Sequence, residues 1–582
     1  MKDYTGYEFD PESNRLIAEL DFLDGKTDII QPQVDPKDPY KTPHIGFFDR
    51  KVTVQDREMP YTMYVPDGFR PYSDGIFIFV PGGCTARTYL EEKGWNHIAE
   101  QKRVTLIAMQ CSKESWGRWE LSDALAYARA VFVVQSKRDI CSLNEGGFYA
   151  LGFEDGAYMA TIFTMLYSSV FAAAAVCGPV KIEEELIEKI SSLPADGDKT
   201  LKKNQIPISM WMIGECDQLV PYFCHSANTD KGICTEHYVS FRQKQIPYGH
   251  IINEQQVAEV RYSSNPAAAG WNYQKTAERM VDFVKQFKKQ PGIKERCLRY
   301  TQTAEEMGLK YCEAEVNGVK RCWYVFEPTA YRKKSKEKYP VVFGMHGICT
   351  SGETFACHAQ WHRVAEARGF LVVYPFGYMQ TYGACMAPTL VWKGYEFSEV
   401  ESEADDIAFF TYMLQYMKDH YPVDEERIYA TGHSNGSAMT QMLIRKMPEH
   451  FAAFGPVGYT DGDLNPSMVV PPFEHETVCP TWLIKGEKDI GCGGSLKEGN
   501  ANVTMLRHLC SLNGVTYENG KHYRNEPFDN MTFYNDQQVP VVRYSNVQDM
   551  PHSITPEIAW MLWDQYFCRF IRREDGSIEY LG

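Results

Sequence analysis

The sequence predicts an α/β protein made of two tandem domains, each a mainly parallel sheet covered by helices on both faces. Three observations predict it. Apolar runs of strand length alternate with amphipathic stretches of helix length along most of the chain. One ordered set of these runs occurs twice. In both copies the strand-length runs end at glycine-containing turns, the edge where open α/β sheets gather their chemistry.

The repeat is read directly from the residues. "DGIFIFVPGGCTARTYLEEKGWNHIAEQKRVTLIAMQ" (74–110) lies under "YPVVFGMHGICTSGETFACHAQWHRVAEARGFLVVYPFG" (339–377), with Cys84-Thr85 on Cys349-Thr350 and Trp95 on Trp361. Further on, "NEGGFYALGFEDGAYM" (144–159) lies under "DEERIYATGHSNGSAM" (424–439). "PISMWMIGECD" (207–217) pairs with "PTWLIKGEKD" (480–489), and "AEVRYSSN" (258–265) with "VPVVRYSN" (539–546). The expected organisation is an extended Pro- and Asp-rich arm over 1–45, one domain over 46–290, a linker over 291–300 and a second domain over 301–582. Between Asp406 and Met417 the helical period is plain, with Ile407, Phe410, Met413, Leu414 and Met417 on one side.

Composition narrows the function classes. The 582 residues are 44% hydrophobic and 23% charged, as in ordinary globular proteins, and too many for a single core. A net charge of −16 repels phosphate backbones and anionic lipid, which argues against nucleic-acid and membrane partners. Residues 159–180 carry no charge and reach the length of a membrane span. They align, however, with 439–460, which contains Arg445, Lys446 and Glu449, so a buried helix followed by a buried strand is expected. The first thirty residues have neither a basic nor an apolar leader region. The 17 cysteines form no C-x-x-C pair and read as reduced thiols. Together these predict a cytoplasmic protein.

The chemistry is concentrated in the second copy. Gly432-His433-Ser434-Asn435-Gly436 is a G-x-S-x-G turn between a strand and a helix, which lifts a serine clear of the sheet. A serine hydroxyl is a poor nucleophile until a base, itself oriented by a carboxylate, stands beside it. Asp489 follows the strand "TWLIKG", 55 residues after Ser434, and supplies that carboxylate. Asp461 and Asp463 are its rivals and read better as turn formers. His552 follows the last strand, just before a helix opened near Ser553 and Thr555-Pro556, and supplies the base. His508 and His522 do not directly follow that strand. The backbone amides of Ile348 and Asn435 are placed to form an oxyanion hole. His346, next to the turn glycine, is expected to shape that loop. With Tyr378, Trp392 and Tyr459 it is also a candidate for lining substrate, although aromatic residues serve core packing more often. No His/Cys/Asp cluster has zinc spacing, and the reaction requires no metal or other cofactor.

At this point "VVFGMHGICTSGETFACHAQWHRVAEARGFLVVYPFG", "EADDIAFFTYMLQYM", "DEERIYATGHSNGSAM" and "WLIKGEKD" resemble the polyhydroxybutyrate depolymerase/feruloyl esterase-like branch of the α/β-hydrolases over roughly residues 310–570. The resemblance implies a Ser-His-Asp carboxylic ester hydrolase with Ser434, Asp489 and His552 as its triad, and the repeat extends the α/β-hydrolase-like expectation to the first of the two tandem domains. That branch is often secreted and lacks an equivalent of the 490–538 insertion, which is expected to form part of the substrate rim. A small or medium soluble ester, which can be aromatic, is therefore preferred to a polymer.

The first copy departs from this pattern. Glu154 stands where Ser434 does, Pro81 replaces His346, and no histidine occupies the His552 position, while Asp217 remains. Its turn reads as a degenerate active site; His250 would have to reach across to serve as base. Such a domain can wall the substrate pocket or pair two copies into a homo-oligomer. Two alternatives to an esterase stay open: a serine peptidase or acyltransferase using the same triad, and a non-catalytic binding protein on a hydrolase scaffold.

Overall fold

The computed structural model describes residues 33–582 apart from 43, 55–56, 68–72, 113–115, 122, 124–139, 142, 196–198, 228–236, 246–250, 265–271, 293, 296, 334–336, 381–386 and 396–403. His250 therefore lies outside the described residues, as does most of the stretch read as an N-terminal arm.

Two large sheets account for most of the strands. The first contains β1 (Gly46–Val54), β2 (Arg57–Val65), β3 (Gly75–Phe79), β4 (Thr105–Met109), β5 (Phe148–Phe153), β6 (Ala173–Cys177), β7 (Ser209–Ile213), β8 (His237–Gln245) and β9 (Ile251–Ser263). Their spatial order is β1-β2-β4-β3-β5-β6-β7-β9-β8. A short antiparallel ribbon follows, β10 (Phe287–Lys289) with β11 (Leu298–Tyr300). The second sheet contains β12 (Leu309–Val316), β13 (Val319–Phe326), β14 (Tyr339–Met345), β15 (Leu371–Pro375), β18 (Val423–His433), β19 (Ala453–Val457), β20 (Thr481–Lys488), β21 (Lys521–Asn525), β22 (Phe528–Tyr534) and β23 (Pro540–Pro551). A separate small ribbon pairs β16 (Tyr378–Gln380) with β17 (Thr389–Val391). The order in the second sheet is β12-β13-β15-β14-β18-β19-β20-β23-β22-β21. In both sheets the central strands run parallel and the outer ones antiparallel.

The central strands are buried on both faces, which is why they read as continuous apolar runs. In β14, Val341, Phe343 and Met345 enter the core on one face, while Val342 enters the core on the other. The helix Asp406–His420 closes one face with Phe409, Phe410, Met413, Leu414 and Met417. It begins where the side chain of Asp405 accepts a hydrogen bond from the amide of Ala408 at 3.0 Å. Arg321 and Asp406 form a buried ion pair at 2.8 Å beside it. The uncharged 159–180 segment divides into a helix, Gly156–Leu166, and strand β6. No described helix is long and apolar enough to cross a membrane.

The insertion 490–538, expected to form part of the substrate rim, builds sheet as well. It supplies the helix Ala501–Leu512 and then β22, paired antiparallel on β23, and β21, paired antiparallel on β22, which extend the far edge of the sheet. Buried residues alternate with half-buried ones along most of β22, which gives it one face to bury once a partner strand is available. The arm also differs from an extended chain where it is described. Residues 35–41 form turns, Pro36 accepts a hydrogen bond from the amide of Lys320 at 2.9 Å, and Tyr40 packs edge-on against Phe376. It lies against the second sheet.

Candidate active site

Strand β18 ends at His433, and the helix Asn435–Lys446 begins one residue later. Ser434 makes that turn alone, with φ 58° and ψ −120°, a backbone region that costs a non-glycine residue on the order of 1–3 kcal/mol. The flanking glycines make the turn possible by absence of bulk. A Cβ at Gly436 would lie 2.2 Å from the Met345 carbonyl oxygen, and one at Gly432 would lie 2.3 Å from that of Gly436. The Ser434 amide is held by the Val457 carbonyl at 2.9 Å.

Three of the predicted side chains meet at this turn. His552 Nε2 lies 2.9 Å from Ser434 Oγ, and His552 Nδ1 lies 2.5 Å from Asp489 Oδ1. The Asp489 side chain is fully buried, while the His552 ring keeps about a quarter of its surface exposed (27%). Asp489 Oδ1 also accepts from the amide of Ile490 at 2.8 Å, and Oδ2 from that of Gly486 at 3.3 Å. With its oxygens fixed, the carboxylate accepts the Nδ1 proton of His552 and turns the Nε2 lone pair toward serine. His433 stacks obliquely on His552, ring centroids 4.6 Å apart. Burial and the neighbouring His552 push its pKa well below the usual histidine range, so it adds no charge under the base.

Ile348 sits half-buried in the turn after β14, and a Cβ at its neighbour Gly347 would come within 3.2 Å of the Ser434 Cβ. Asn435 is the first residue of its helix, so its amide is among those with no intrahelical acceptor. Its side chain is committed elsewhere. Oδ1 accepts from the amide of Trp392 at 2.6 Å and Nδ2 donates to the Trp392 carbonyl at 3.0 Å.

The four candidates for lining substrate are placed differently from that expectation. His346 and Trp392 are fully buried, Tyr459 nearly so, and Tyr378 is 4% exposed. His346 Nε2 accepts from the amide of Gly377 at 2.8 Å, so the proton sits on Nδ1, which donates to the Gly347 carbonyl at 2.7 Å. Burial holds its pKa at about 4. Trp392 donates from Nε1 to the His346 carbonyl at 3.0 Å. Tyr459 carries the backbone carbonyl that accepts from Ser437 Oγ, and Tyr378 packs near Val319 and Ala404. These residues support the turn after β14 and the packing around it; none presents its ring to solvent. Asp461 and Asp463 are also more than turn formers. Asp463 pairs with the fully buried Lys485 at 2.6 Å and accepts from the amide of Cys492 at 2.8 Å, while Asp461 lies 3.7 Å from Arg445.

Sequence reading missed the support that reaches His552 from the segment after β10. Ser553 Oγ donates to the Pro291 carbonyl at 2.9 Å, and Gln290 Nε2 donates to the Ile554 carbonyl at 3.1 Å. No local pattern could have signalled contacts that join residues more than 260 positions apart.

In the first sheet, Glu154 occupies the corresponding turn with φ 54° and is exposed. A Cβ at Gly152 would lie 2.4 Å from the Gly156 carbonyl oxygen, repeating the constraint at Gly432. Asp155 Oδ1 accepts from the amide of Gly82 at 2.9 Å. Asp217 is exposed and opens a short 3-10 helix after β7. Among the described residues, no group of His, Cys, Asp and Glu could hold a metal ion.

Residues 325–463 match the family model described as esterase PHB depolymerase. A bifunctional acetylxylan esterase/xylanase of Neocallimastix patriciarum is 25% identical over 139 residues, 24% of this chain and 18% of that protein. Poly(3-hydroxyalkanoate) depolymerase C of Paucimonas lemoignei is 27% identical over 20% of this chain and 27% of its own length. Feruloyl esterase B of Talaromyces funiculosus is 24% identical over 22% of this chain and 34% of its own. The chain thus spans about a third or less of the length of these relatives. Among solved structures, an acetyl xylan esterase from Aspergillus awamori aligns with 43% of this chain and 98% of its own, at 15% identity and a TM-score of 0.33. The matched region is thus similar to esterases of the PHB depolymerase and feruloyl esterase type.

Proposed function

We propose that this chain is a serine carboxylic ester hydrolase acting through an acyl-enzyme, with Ser434 as nucleophile, His552 as general base and acid, and Asp489 as the carboxylate that orients His552. The observation that carries it is the continuous hydrogen-bonded line Asp489–His552–Ser434 ending on a serine at positive φ. Ser434 Oγ attacks the ester carbonyl carbon while His552 Nε2 takes its proton. The amides of Ile348 and Asn435 stabilise the oxyanion, each such donor contributing about 3 kcal/mol to a barrier of this type. Collapse expels the alcohol, protonated by His552, and leaves an acyl-serine. Water, deprotonated by the same imidazole, then releases the acid. The relatives' names point to acyl groups on carbohydrates, aromatic acids and hydroxyalkanoates. A small or medium ester is the substrate class proposed here. All described cysteines are free thiols, which suits a reducing compartment such as the cytoplasm.

The tandem reading is part of the proposal. The shared strand order of the two sheets and the repeated turn at Glu154 and Ser434 support two hydrolase-like domains, over 46–290 and 301–582, with the first catalytically silent. Glu154 has no histidine following the last strand of its own sheet, so an ester formed on it would have no base to release it. A fluorophosphonate probe is expected to label Ser434, and Ser434→Ala to lose the label and at least about 10⁴-fold of p-nitrophenyl ester turnover. Folded wild-type protein with neither label nor turnover would leave only the scaffold reading. Cleavage of amides, or transfer to an added alcohol in preference to water, would identify the peptidase or acyltransferase instead.

A further inference from the structure

The ribbon β10–β11 faces a cleft of about 280 Å³ lined by residues from both halves of the chain. Its charge is opposite to that of the whole molecule. Arg103, Lys285, Lys288, Lys289 and Arg299 line it, against only Asp74 and Glu353. The net charge of the chain is −16, so a cationic excess gathered in one concavity is a local feature that composition does not supply. Lys288 is paired with Asp74, and Glu353 accepts from the amide of Ala304 at 3.2 Å. Lys285 Nζ donates to the Lys102 carbonyl at 2.6 Å, which leaves its formal charge uncompensated by that contact.

The neutral groups on the wall suit the same ligand. Asn144 and Thr354 bring amide and hydroxyl groups to the wall, while the Thr301 hydroxyl donates to the Lys285 carbonyl at 2.6 Å. His358 is 9% exposed at this wall, and burial together with the charges of Arg299 and Lys288 drives its pKa well below the usual range. Burial lowers that of Lys285, with Asp74 and Asp282 opposing the fall and Lys288 and Lys102 adding to it. Like charges crowded in a partly closed space are relieved by a bound anion, and charge-assisted hydrogen bonds are the strong ones.

We propose that this cleft is a binding site for a small multivalent oxyanion, phosphate or polycarboxylate, separate from the Ser434 site. The volume admits a ligand of a few heavy atoms to about the size of a small metabolite; the cations all come from residues 103–299, while the second half adds polar groups such as Thr354 and one acid, Glu353. The site goes beyond the hydrolase reading and does not depend on it.

The test is isothermal titration calorimetry of the full chain at low ionic strength with inorganic phosphate and, separately, with citrate. Saturable binding of one anion per chain is expected, accompanied by a rise in Tm that grows with anion concentration. Arg103→Gln and Lys285→Gln should each weaken it by about tenfold, the size of one charge-assisted contact, while Lys497→Gln on the exposed surface should leave it unchanged. Arg103 is exposed, so its replacement tests the site without disturbing the core. Preference for phosphate or for citrate tells the two sources apart. Absence of binding to both anions, or equal binding by wild type and the two cleft variants, would overturn the proposal.

Discussion

Asp489 shows how much a single side chain is asked to do. Its two oxygens accept from His552, Ile490 and Gly486 in a position closed to solvent. Asp489→Asn would keep the shape but present an amide that can donate to Nδ1, favouring the tautomer whose Nε2 cannot take the serine proton. A drop in kcat of about 10⁴ with little change in KM is expected, read by steady-state kinetics on a p-nitrophenyl ester. At this scale the three residues proposed as the triad were legible, because chain order and strand ends locate them before any coordinates exist. His346 and Trp392 were only partly so. The place of His346 beside the turn glycine and the packing habit of aromatics pointed to support, but not to the partners, since one bridges Gly377 and Gly347 and the other clamps Asn435 and His346. A side chain's partner, which decides between lining and packing, is set by which loops the fold brings together.

At the scale of elements, the turn between β18 and the helix Asn435–Lys446 is governed by contacts a Cβ would violate. Gly436→Ala puts a methyl group 2.2 Å from the Met345 carbonyl oxygen, and backbone on both sides cannot yield cheaply. The variant is expected to lose activity and to melt lower by an amount matching a loss of about 2 kcal/mol or more, followed by circular dichroism. Gly156→Ala in the first sheet meets the Phe79 carbonyl oxygen at the same 2.2 Å and should destabilise without touching Ser434 chemistry. The central strands, the helix Asp406–His420 and both turns could be read from periodicity and glycine spacing. The 490–538 segment could not, since β22 is defined by its pairing on β23 and β21 by its pairing on β22, and pairing has no local signature.

For the whole molecule, buried neutral histidines couple folding to pH. Burial holds His346 at about 4 and His362 at about 3, while an unfolded chain protonates both near 6.5. Between those values the unfolded state binds more protons, so stability falls as pH falls from about 6.5 toward 4, by about 2 kcal/mol per histidine at pH 5. Melting temperatures recorded from pH 7.5 to 4.5 should show this decline, and His362→Gln should make it shallower. The two halves are coupled in another way. Gln290→Leu removes the donor to Ile554, next to the loop that carries His552, and a several-fold fall in kcat with nearly unchanged KM is expected. An unchanged kcat would show that the loop holds His552 without that contact.

By itself the sequence determined the α/β class, the serine turn, the order Ser434, Asp489, His552, and the loss of the serine at Glu154. These depend on residue type and on spacing along the chain, which local backbone sterics and strand or helix period fix. Tertiary structure alone decided that Asp461 and Asp463 are buried beside Arg445 and Lys485, that residues 33–42 lie against the second sheet, and that Gln290 and Pro291 brace the His552 loop. It also gathered five cationic side chains from distant positions into one cleft. Such contacts form between segments remote in sequence, and their energy comes from burial and electrostatics that exist only once both surfaces have met.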